Sequence, residues 1–269
     1  MIEKTILLTG ATDGIGLETA KVLAKPQVNL LIHGRNKDKL EKTIALLKSL
    51  NPDCNVISYQ ADLSSLTEVN ALANKVLENH PALDVLINNA GVFVTQDTRS
   101  IDHFDTRFAV NTIAPYLLTK KLLGIMPKNG RVVNLSSAAQ TSVTPAELSS
   151  TSVLSDNAVY AKSKLALTMW SFDLAKSLDN KGPVIVAINP KSFLGSKMVE
   201  QAYGVKGGDL QIGADILVRA ALSEEFSHAN GRYFDNDIGQ FSPPHQDALN
   251  PQKTQAITVQ LDEIIEPFV

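Results

Sequence analysis

The sequence has little cysteine and tryptophan, with one residue of each among 269. Because Cys54 is the single cysteine, no intrachain disulfide can form, and a reducing cytoplasm is the expected setting. The five histidines show no metal-ligand spacing, so we expect no bound metal. No apolar run approaches the roughly 20 residues of a membrane span, and the N-terminal "MIEKTILLTG" lacks a signal-peptide stretch. These absences predict a soluble protein without membrane insertion.

An excess of positive charge is also missing. The chain has 25 Lys and Arg against 28 Asp and Glu, a net charge of −3, and a pI near 6.0. Such a chain has no broad basic field for nucleic acid, so a small-molecule substrate is the expected partner. With 44% hydrophobic residues and no Ser/Gly/Pro-rich linker, residues 1–269 are expected to form a single domain.

Short β-branched runs alternate with longer segments of helical periodicity. The predicted strands are "TILLT", "VNLLIH", "NVISYQ", "DVLINN", "RVVNLSS", "VIVAIN" and "GRYF". The predicted helices are "IGLETAKVLAK", "KDKLEKTIALLKSL", "SLTEVNALANKVLENH", "NTIAPYLLTKKLLGIM", "AVYAKSKLALTMWSFDLAKSL" and a C-terminal helix at about 251–265. Residues from about 236 to 250 read as loop. This alternation predicts a doubly wound α/β fold, a mostly parallel sheet with helices on both faces.

The glycine-rich stretch "TGATDGIG" directly follows the first predicted strand and opens the first helix. Glycines there let a pyrophosphate approach the backbone, and the helix N-terminus offers it free N–H groups. The spacing differs from the commoner G-x-G-x-x-G, and a simple tight turn is the alternative interpretation. The candidate cofactor-binding residues in this stretch are Gly10, Thr12, Asp13, Gly14, Ile15 and Gly16.

The stretch "YAKSK" places Tyr160 and Lys164 four residues apart, on one face of a predicted helix. The rest of this helix is largely apolar, so its polar groups are expected to have partners. At roughly 4 Å and an effective dielectric of about 20, an ammonium would stabilise a phenolate by about 4 kcal/mol, on the order of three pKa units. The pair therefore predicts a general acid and base. An ordinary helix-surface pair is the alternative.

Four motifs follow the glycine turn in order: "DVLINNAG", "FAVNTIAP", "VNLSS" and "YAKSK". Together they make the first 190 or so residues resemble the short-chain dehydrogenase/reductase family. The resemblance implies a Rossmann fold and an NAD(P)-dependent oxidoreductase acting on alcohols or carbonyls. The long segment at about 138–158 is similar to that of retinol-dehydrogenase-like and related reductases, and is expected to border the substrate.

The resemblance also implies a catalytic set. Ser137 would bind the substrate oxygen, and Tyr160 would transfer its proton. Lys164 would lower the phenol pKa and bind the nicotinamide ribose, and Asn111 would kink a helix and hold a water. Two alternatives stay open: Ser136 is equally plausible on chemistry alone, and Asn111 could be only a helix N-cap. Further cofactor-binding residues implied by the family are Asp62, Leu63, Asn89, Ala90, Gly91, Tyr160, Lys164 and Pro190.

The second predicted strand ends in "LLIHGRNKDKL", with Arg35 and no acid at its tip. An acid there would bind a ribose 2′-OH, whereas Arg suits a 2′-phosphate, so NADP(H) is favoured and NAD(H) is the alternative. In "INPKSFLGSKM", Lys191 stands where many relatives carry Gly, and Ser196 is the candidate hydroxyl for the nicotinamide amide. Residues from about 191 to 212 are the predicted lid.

Two other functions remain at this stage. A dinucleotide fold can serve as a redox sensor or scaffold without turnover, although such proteins commonly lose the Tyr or Lys. A sugar-nucleotide epimerase or dehydratase shares the fold but usually has a larger C-terminal substrate domain. The sequence leaves the assembly open, with a homodimer as one alternative.

Overall fold

A single eight-stranded sheet organises the computed structural model, which describes residues 4–150, 154–179 and 181–269. The strands are β1 Lys4–Leu8, β2 Val28–Gly34, β3 Asn55–Gln60, β4 Val85–Asn88, β5 Arg131–Leu135, β6 Val184–Asn189, β7 Arg232–Asp235 and β8 Gln240–Phe241. Their order is β3-β2-β1-β4-β5-β6-β7-β8. All neighbours are parallel except β7 and β8. The seven predicted strands are therefore all present.

Helices connect the parallel strands, and a further helix follows the last strand. Within the described ranges they are α1 Gly14–Leu23, α2 Lys37–Leu50, α3 Leu66–Asn79, α4 Thr106–Phe108, α5 Ala114–Leu122, α6 Pro145–Leu148, α7 Asp156–Ser177, α8 Lys197–Tyr203, α9 Leu210–Leu222 and α10 Pro251–Ile265. Side-chain caps start several of them: Asn36 caps α2 and Ser65 caps α3, each by accepting a backbone N–H bond. The expected C-terminal helix is α10.

The core has two layers, one on each face of the sheet. One contains the buried faces of α3, α5, α7 and α10, and the other those of α1, α2 and α9. Strands buried on both sides need apolar residues at nearly every position, which explains their continuous hydrophobic runs. This sandwich confirms the predicted doubly wound Rossmann fold. None of the helices in the described ranges is long and apolar enough to cross a bilayer.

Several elements differ from the sequence prediction. The predicted loop at 236–250 contains β8, which extends the sheet by an antiparallel pair, and a 3₁₀ turn at Gln246–Leu249. Helices α8 and α9 were not predicted, and both begin within the predicted lid at about 191–212. The segment at 138–158 contains α6, and its residues 151–153 lie outside the described residues.

The topology places the candidate site. From β1 the chain moves outward through β2 to β3, then returns to β4 on the other side of β1. The order of the sheet reverses between β1 and β4, and in doubly wound folds ligands bind at this switch point, outside the carboxyl ends of the strands. The glycine turn follows β1, and the "NNAG" motif follows β4.

Candidate active site

The turn between β1 and α1 is tight because of its glycines. Gly10 and Gly14 have positive φ angles of 66° and 54°, a conformation that other residues rarely adopt. A Cβ atom on Gly16 would lie 2.1 Å from the Gly10 carbonyl oxygen, so only glycine lets α1 start against the turn. The N-terminus of α1 consequently opens at the switch point, where its N–H groups can bind an anion.

Asn89 holds this turn from the end of β4. Its Nδ2 donates to the carbonyl oxygens of Thr9 at 2.8 Å and Gly10 at 3.1 Å. Its backbone N–H donates to Thr9 Oγ1 at 3.0 Å. Ala90 lies directly behind, since a Cβ on Gly10 would be 2.8 Å from Ala90 Cα. The Asn89 side chain, expected to bind the cofactor, therefore supports the glycine turn.

His33 supports the same turn from β2, and the sequence analysis missed this role. The Gly10 N–H donates to His33 Nδ1 at 3.2 Å, and His33 Nε2 lies 3.0 Å from the Ala61 carbonyl oxygen. These partners require a neutral ring with its proton on Nε2. Burial lowers the pKa of His33 to about 4, which keeps the ring neutral at physiological pH. A lone histidine on a strand has no motif that would reveal such a role.

Asp13 is the N-cap of α1 and carries an exposed ion-pair network. Its Oδ1 accepts the Gly14 N–H at 3.0 Å. Its Oδ2 lies 2.7 Å from the Lys197 ammonium and 3.3 Å from the Lys39 ammonium. Partial burial alone would raise the pKa of Asp13, but the hydrogen bonds from Lys197 and Lys39 outweigh it and lower that pKa. The turn, α2 and α8 therefore meet at this carboxylate.

Arg35 follows β2 and is exposed to solvent. Its carbonyl oxygen accepts a bond from Gln60 Nε2 at 3.2 Å, while its guanidinium has no hydrogen-bond or ion-pair partner within the described part of the chain. The preceding Gly34 touches the glycine turn, because a Cβ there would lie 2.8 Å from Thr12 Cγ2. Arg35 is thus a free cation at the outer edge of the predicted cofactor site.

Asp62 and Leu63, two of the candidate cofactor-binding residues, follow the end of β3. The Asp62 carboxylate accepts bonds from the backbone N–H and the hydroxyl of Ser64, at 2.9 and 2.8 Å. Leu63 is buried in the core with 6% exposure. The Asp62 side chain therefore forms a local turn, and the Leu63 side chain packs in the core.

Asn111 lies in a π-helical turn, Ala109–Ile113, between α4 and α5. Its Nδ2 donates to the Val92 carbonyl oxygen and to Ser163 Oγ, both at 2.9 Å, and its Oδ1 accepts the Val92 N–H at 2.8 Å. Wide turns of this kind distort helices and often occur at functional sites. Because Asn111 is inside the helical segment, the alternative N-cap role is wrong.

Ser136 and Ser137 have different surroundings at the end of β5. Ser136 is buried, and its hydroxyl lies 2.7 Å from Thr168 Oγ1. Ser137 is half-buried; its hydroxyl accepts the Ala139 N–H at 3.1 Å and is close enough to the Tyr160 phenol to act on the pKa of that group, in the lowering direction. Of the two serines, Ser137 is therefore the one beside the phenol.

Tyr160 and Lys164 lie together, but their protonation differs from the expectation. Burial raises the pKa of Tyr160 to about 12, although the Ser137 hydrogen bond acts in the opposite direction. Burial lowers the pKa of Lys164 to about 7. The ammonium lies 5.7 Å from the phenol ring centroid and donates to the Leu135 carbonyl oxygen at 2.7 Å. Desolvation of both groups outweighs the attraction that the spacing suggested.

Gly91 completes this cluster from the β4 side. A Cβ atom on Gly91 would lie 3.3 Å from Asn111 Oδ1 and 3.4 Å from Lys164 Nζ. Any larger residue at this position would therefore crowd both buried polar atoms. The structure thus brings Gly91, Asn111, Ser137, Tyr160 and Lys164 together.

Aromatic side chains border Tyr160 on the outer side. Its ring centroid is 4.4 Å from that of buried Phe93, which in turn lies 5.6 Å from Tyr203 at the end of α8. Tyr203 contacts Phe193 at 5.2 Å, and both are largely exposed. The phenol therefore lies at the inner end of an aromatic path to the surface. Phe93 was missed because it lies two residues beyond the recognised "NNAG" motif.

The segment after β6 lies above the glycine turn. Pro190 is buried, and its carbonyl oxygen accepts from Asn236 Nδ2 at 2.9 Å. Ser196, expected at the nicotinamide amide, caps α8 by accepting the Val199 N–H at 3.3 Å. A Cβ on Gly14 would lie 3.7 Å from Ser196 Cβ. Ser196 therefore faces the glycine turn.

Backbone hydrogen bonds join the two ends of the predicted lid. The Gly195 N–H donates to the Gly208 carbonyl oxygen, and the Gly208 N–H donates to that of Phe193, each at 2.7 Å. Beyond the lid, α9 packs on α1, because a Cβ on Gly213 would lie 3.2 Å from the Ile15 side chain. Ile15 thus contributes to packing beneath the turn.

These observations fit a dinucleotide. Glycines leave the backbone of the β1–α1 turn open, a free guanidinium lies at the end of β2, and Gly91 lies against the buried Lys164 amine and Asn111 amide without a side chain between them. Gly14 has only Ser196 within 4 Å of its missing Cβ. An elongated anionic ligand along the carboxyl edge would meet each of these groups.

Comparison with known proteins supports the same interpretation. Residues 4–204 match the family model described as short chain dehydrogenase. Human polyprenol dehydrogenase is 33% identical over 257 residues, covering 87% of this chain and 77% of that protein. Human retinol dehydrogenase 13 is 28% identical over 251 residues, covering 86% and 76%. A solved landomycin C-6 ketoreductase with bound NADP and rabelomycin is 25% identical, with a TM-score of 0.68 over 88% of this chain and 95% of that one.

The chain belongs to the short-chain dehydrogenase family, in its retinol-dehydrogenase-like branch. It is accordingly an NAD(P)-dependent oxidoreductase of alcohol or carbonyl groups.

Proposed function

We propose that the chain is an NADP(H)-dependent oxidoreductase that transfers a hydride between nicotinamide and a small carbonyl or alcohol substrate. Ser137, Tyr160, Lys164 and Asn111 form its catalytic set. The position of the Tyr160 phenol, beside Ser137 and with the buried Lys164 ammonium 5.7 Å from its ring centroid, is the observation that carries this proposal. When bound, the nicotinamide supplies the hydride chemistry, and the protein supplies position and charge.

The two hydroxyl groups define where a substrate oxygen binds. An oxygen between Ser137 and Tyr160 can accept a hydrogen bond from each. The raised pKa of Tyr160 keeps the phenol protonated at neutral pH, which is the form that donates a proton during carbonyl reduction. A protonated Lys164 stabilises the phenolate left by that transfer, and Asn111 fixes the helix beside it through Ser163.

Arg35 supports NADP(H) as the preferred cofactor. The guanidinium is exposed at the end of β2, without a partner among the described residues. A ribose 2′-phosphate there would gain a charge-assisted hydrogen bond, whereas a 2′-OH would not. The NADP bound in the related ketoreductase is consistent with this preference. NAD(H) remains the alternative cofactor.

The aromatic path from Tyr160 to the surface supports an apolar substrate. Phe93, Tyr203 and Phe193 offer ring faces beside the phenol, so a hydrocarbon group next to the reacting carbon would be removed from water there. The names of two relatives specify polyprenol and retinol, both apolar alcohols. Retinoids, isoprenoid alcohols and aromatic ketones are therefore the first substrates to try.

The test follows NADPH absorbance during a screen of aldehydes, ketones, quinones and retinoids. With the best substrate, Tyr160→Phe should keep cofactor binding and lose roughly 10²–10⁴-fold in rate, the usual contribution of a general acid. Tyr59→Phe is the matched control, because the Tyr59 hydroxyl bonds His80 and lies on β3. Wild-type turnover by Tyr160→Phe, where chemistry limits the rate, would instead support a dinucleotide-binding sensor or scaffold.

A further inference from the structure

A buried charge cluster lies next to the catalytic helix. Arg107 and Asp105 are each 1% exposed. The guanidinium donates to both carboxylate oxygens of Asp105, from Nε at 2.8 Å and from Nη2 at 2.7 Å. Its Nη1 donates to Asp156 Oδ1. Arg107 thus joins the residue before α4 to the first residue of α7, which lies 49 positions beyond Arg107 in sequence.

This cluster is one of two attachments on either side of Tyr160. Four residues before the phenol, Asp156 is held by Arg107. Three residues after it, Ser163 accepts from Asn111 Nδ2 at 2.9 Å through its hydroxyl, and from Thr112 Oγ1 at 2.8 Å through its carbonyl oxygen. Both attachments lead to the same partner, the helical segment that runs from α4 through the π-helical turn. They fix the position of the first two turns of α7 along and about the helix axis.

The chemistry of the pair suits a fixed position. A guanidinium is planar and permanently charged, so a carboxylate that accepts two hydrogen bonds from it fixes its orientation. The ammonium of a lysine would not be oriented in this way. With Asp105 accepting from Nε and Nη2 along one edge, Arg107 presents Nη1 in one direction only. Asp156 must reach that point, which determines where α7 begins.

Asp156 also lies where the segment at 138–158 meets the catalytic part of α7. Asp156 falls within the segment at 138–158 that is expected to border the substrate, just before the catalytic residues. That segment touches α7 again through Glu147, whose carboxylate lies 3.0 Å from Lys162 Nζ. Movement of the segment on substrate binding would pull on the N-terminus of α7 unless something held it.

We propose that Arg107, oriented by Asp105, acts through Asp156 as a positioning residue that holds Tyr160 against Ser137 while the preceding segment accommodates substrate. The proposal rests on the proposed function, because it assigns Tyr160 the proton transfer. Arg107 and Asp105 touch no reacting atom, and their effect is on the placement of the phenol.

Asp156→Ala is the decisive variant, since removing Arg107 would leave the Asp105 carboxylate buried without its partner and could prevent folding. With a confirmed substrate, kcat should fall roughly 10- to 100-fold, as expected for a misplaced catalytic group. The NADPH dissociation constant from calorimetry should stay within about twofold, because the binding turn is unchanged. The primary isotope effect with deuterated NADPH should not decrease, and Asp156→Glu, which keeps the charge, should recover part of kcat.

Ser155→Ala is the matched control. It removes the hydroxyl that caps α7, which accepts the Ala158 N–H at 3.4 Å, and weakens the same helix turn without touching Arg107. Its melting temperature should drop while kcat stays near the wild-type value. If Asp156→Ala kept wild-type kcat while Tyr160→Phe was inactive, the positioning role would be wrong and the proposed function would stand. If Tyr160→Phe were also active, the proposed function would fail first.

Discussion

The Lys197 ammonium, in the first turn of α8, lies 2.7 Å from the Asp13 carboxylate that caps α1. This contact joins the predicted lid to the turn proposed to bind the cofactor phosphates. Because both side chains are substantially exposed, the attachment is weak and depends on salt. Helix α8, in the predicted lid, therefore contacts the glycine turn through an ion pair that a bound phosphate could replace.

Removing this contact should loosen α8 selectively. In Lys197→Gln, amide hydrogens of residues 197–203 should exchange a few-fold faster than in the wild-type protein without cofactor, while those of α1 should be unaffected. Lys206→Gln is the control, because Lys206 is exposed in the same segment. Added salt should reproduce the effect in the wild-type protein only. Equal exchange rates in Lys197→Gln and Lys206→Gln would show that the Lys197–Asp13 ion pair does not hold α8 in place.

Arg35→Ala should remove the preference for NADPH over NADH. Losing one charge-assisted phosphate contact should weaken NADPH binding about 10- to 100-fold and leave NADH binding nearly unchanged. Titration calorimetry with both cofactors measures this directly. Lys37→Ala, which removes an exposed lysine at the start of α2, should change neither affinity appreciably. Wild-type NADH binding as tight as NADPH binding would contradict the assignment of Arg35.

The pH dependence of catalysis should report Lys164. Burial lowers the pKa of Lys164 to about 7, so its ammonium is present below that pH and is lost as the pH rises through it. Since the ammonium stabilises the phenolate formed during reduction, kcat/KM for NADPH should decline above about pH 7. In Lys164→Arg the charge persists, and the decline should vanish even if the rate is lower. An identical decline in that variant would assign the titration to another group.

His33 should make stability depend on pH in mildly acidic solution. The ring titrates near 6.5 when unfolded, and burial lowers the pKa of His33 to about 4 in the folded protein. Between these values only the unfolded chain binds the proton, so stability is complete above 6.5 and falls as the pH drops toward 4, by up to roughly 3 kcal/mol. Urea unfolding of wild type, His33→Gln and the exposed-site control His228→Gln tests this. Only His33→Gln should flatten the slope.

Lys191→Gly should stabilise residues 191–193, at the start of the predicted lid. Lys191 has φ of 120° and Phe193 has φ of 53°, both strained for residues with side chains. Asp237 holds residues 191–193 in this conformation by accepting hydrogen bonds from the Ser192 N–H at 2.9 Å and from the Ser192 hydroxyl at 2.6 Å. Lys191→Gly should relieve strain and raise the unfolding free energy by about 1 kcal/mol. Lys206→Gly, at a position without positive φ, should lower it slightly.

The sheet and most of its helices could be predicted because their signals are local. Apolar runs fix a strand buried on both faces, and three-to-four-residue periodicity fixes a helix. Helix α9 was missed for two reasons: it begins within the predicted lid, and it contains Gly213, which weakens helix propensity. Glycine is required at that position because α9 packs closely on Leu194 there. Strand β8 has two residues, too few for any alternating pattern.

The site was predictable only where residues act through motifs. The glycine turn, Asn111, Ser137, Tyr160 and Lys164 come together as the motif order implied. The Asp105–Arg107–Asp156 cluster could not be predicted, because its meaning depends on a contact across 49 positions. The pKa values of Tyr160 and Lys164 could not be predicted from their spacing either. A helix repeat determines which groups are neighbours, but the burial that shifts these two pKa values comes from the whole fold.

The π-helical turn at Ala109–Ile113 also sets an angular offset within one helical segment. In an α-helix each residue advances by about 100°, so two side chains keep a fixed angle set by their separation. A wider turn takes in one more residue, and the residues after Ile113 are rotated relative to those before Ala109. Arg107 and Asn111 can therefore face α7 while Tyr116, further along, turns its hydroxyl to Asp262 on α10. Deleting one residue from this turn would restore regular winding and move one of these two sets away from its partners.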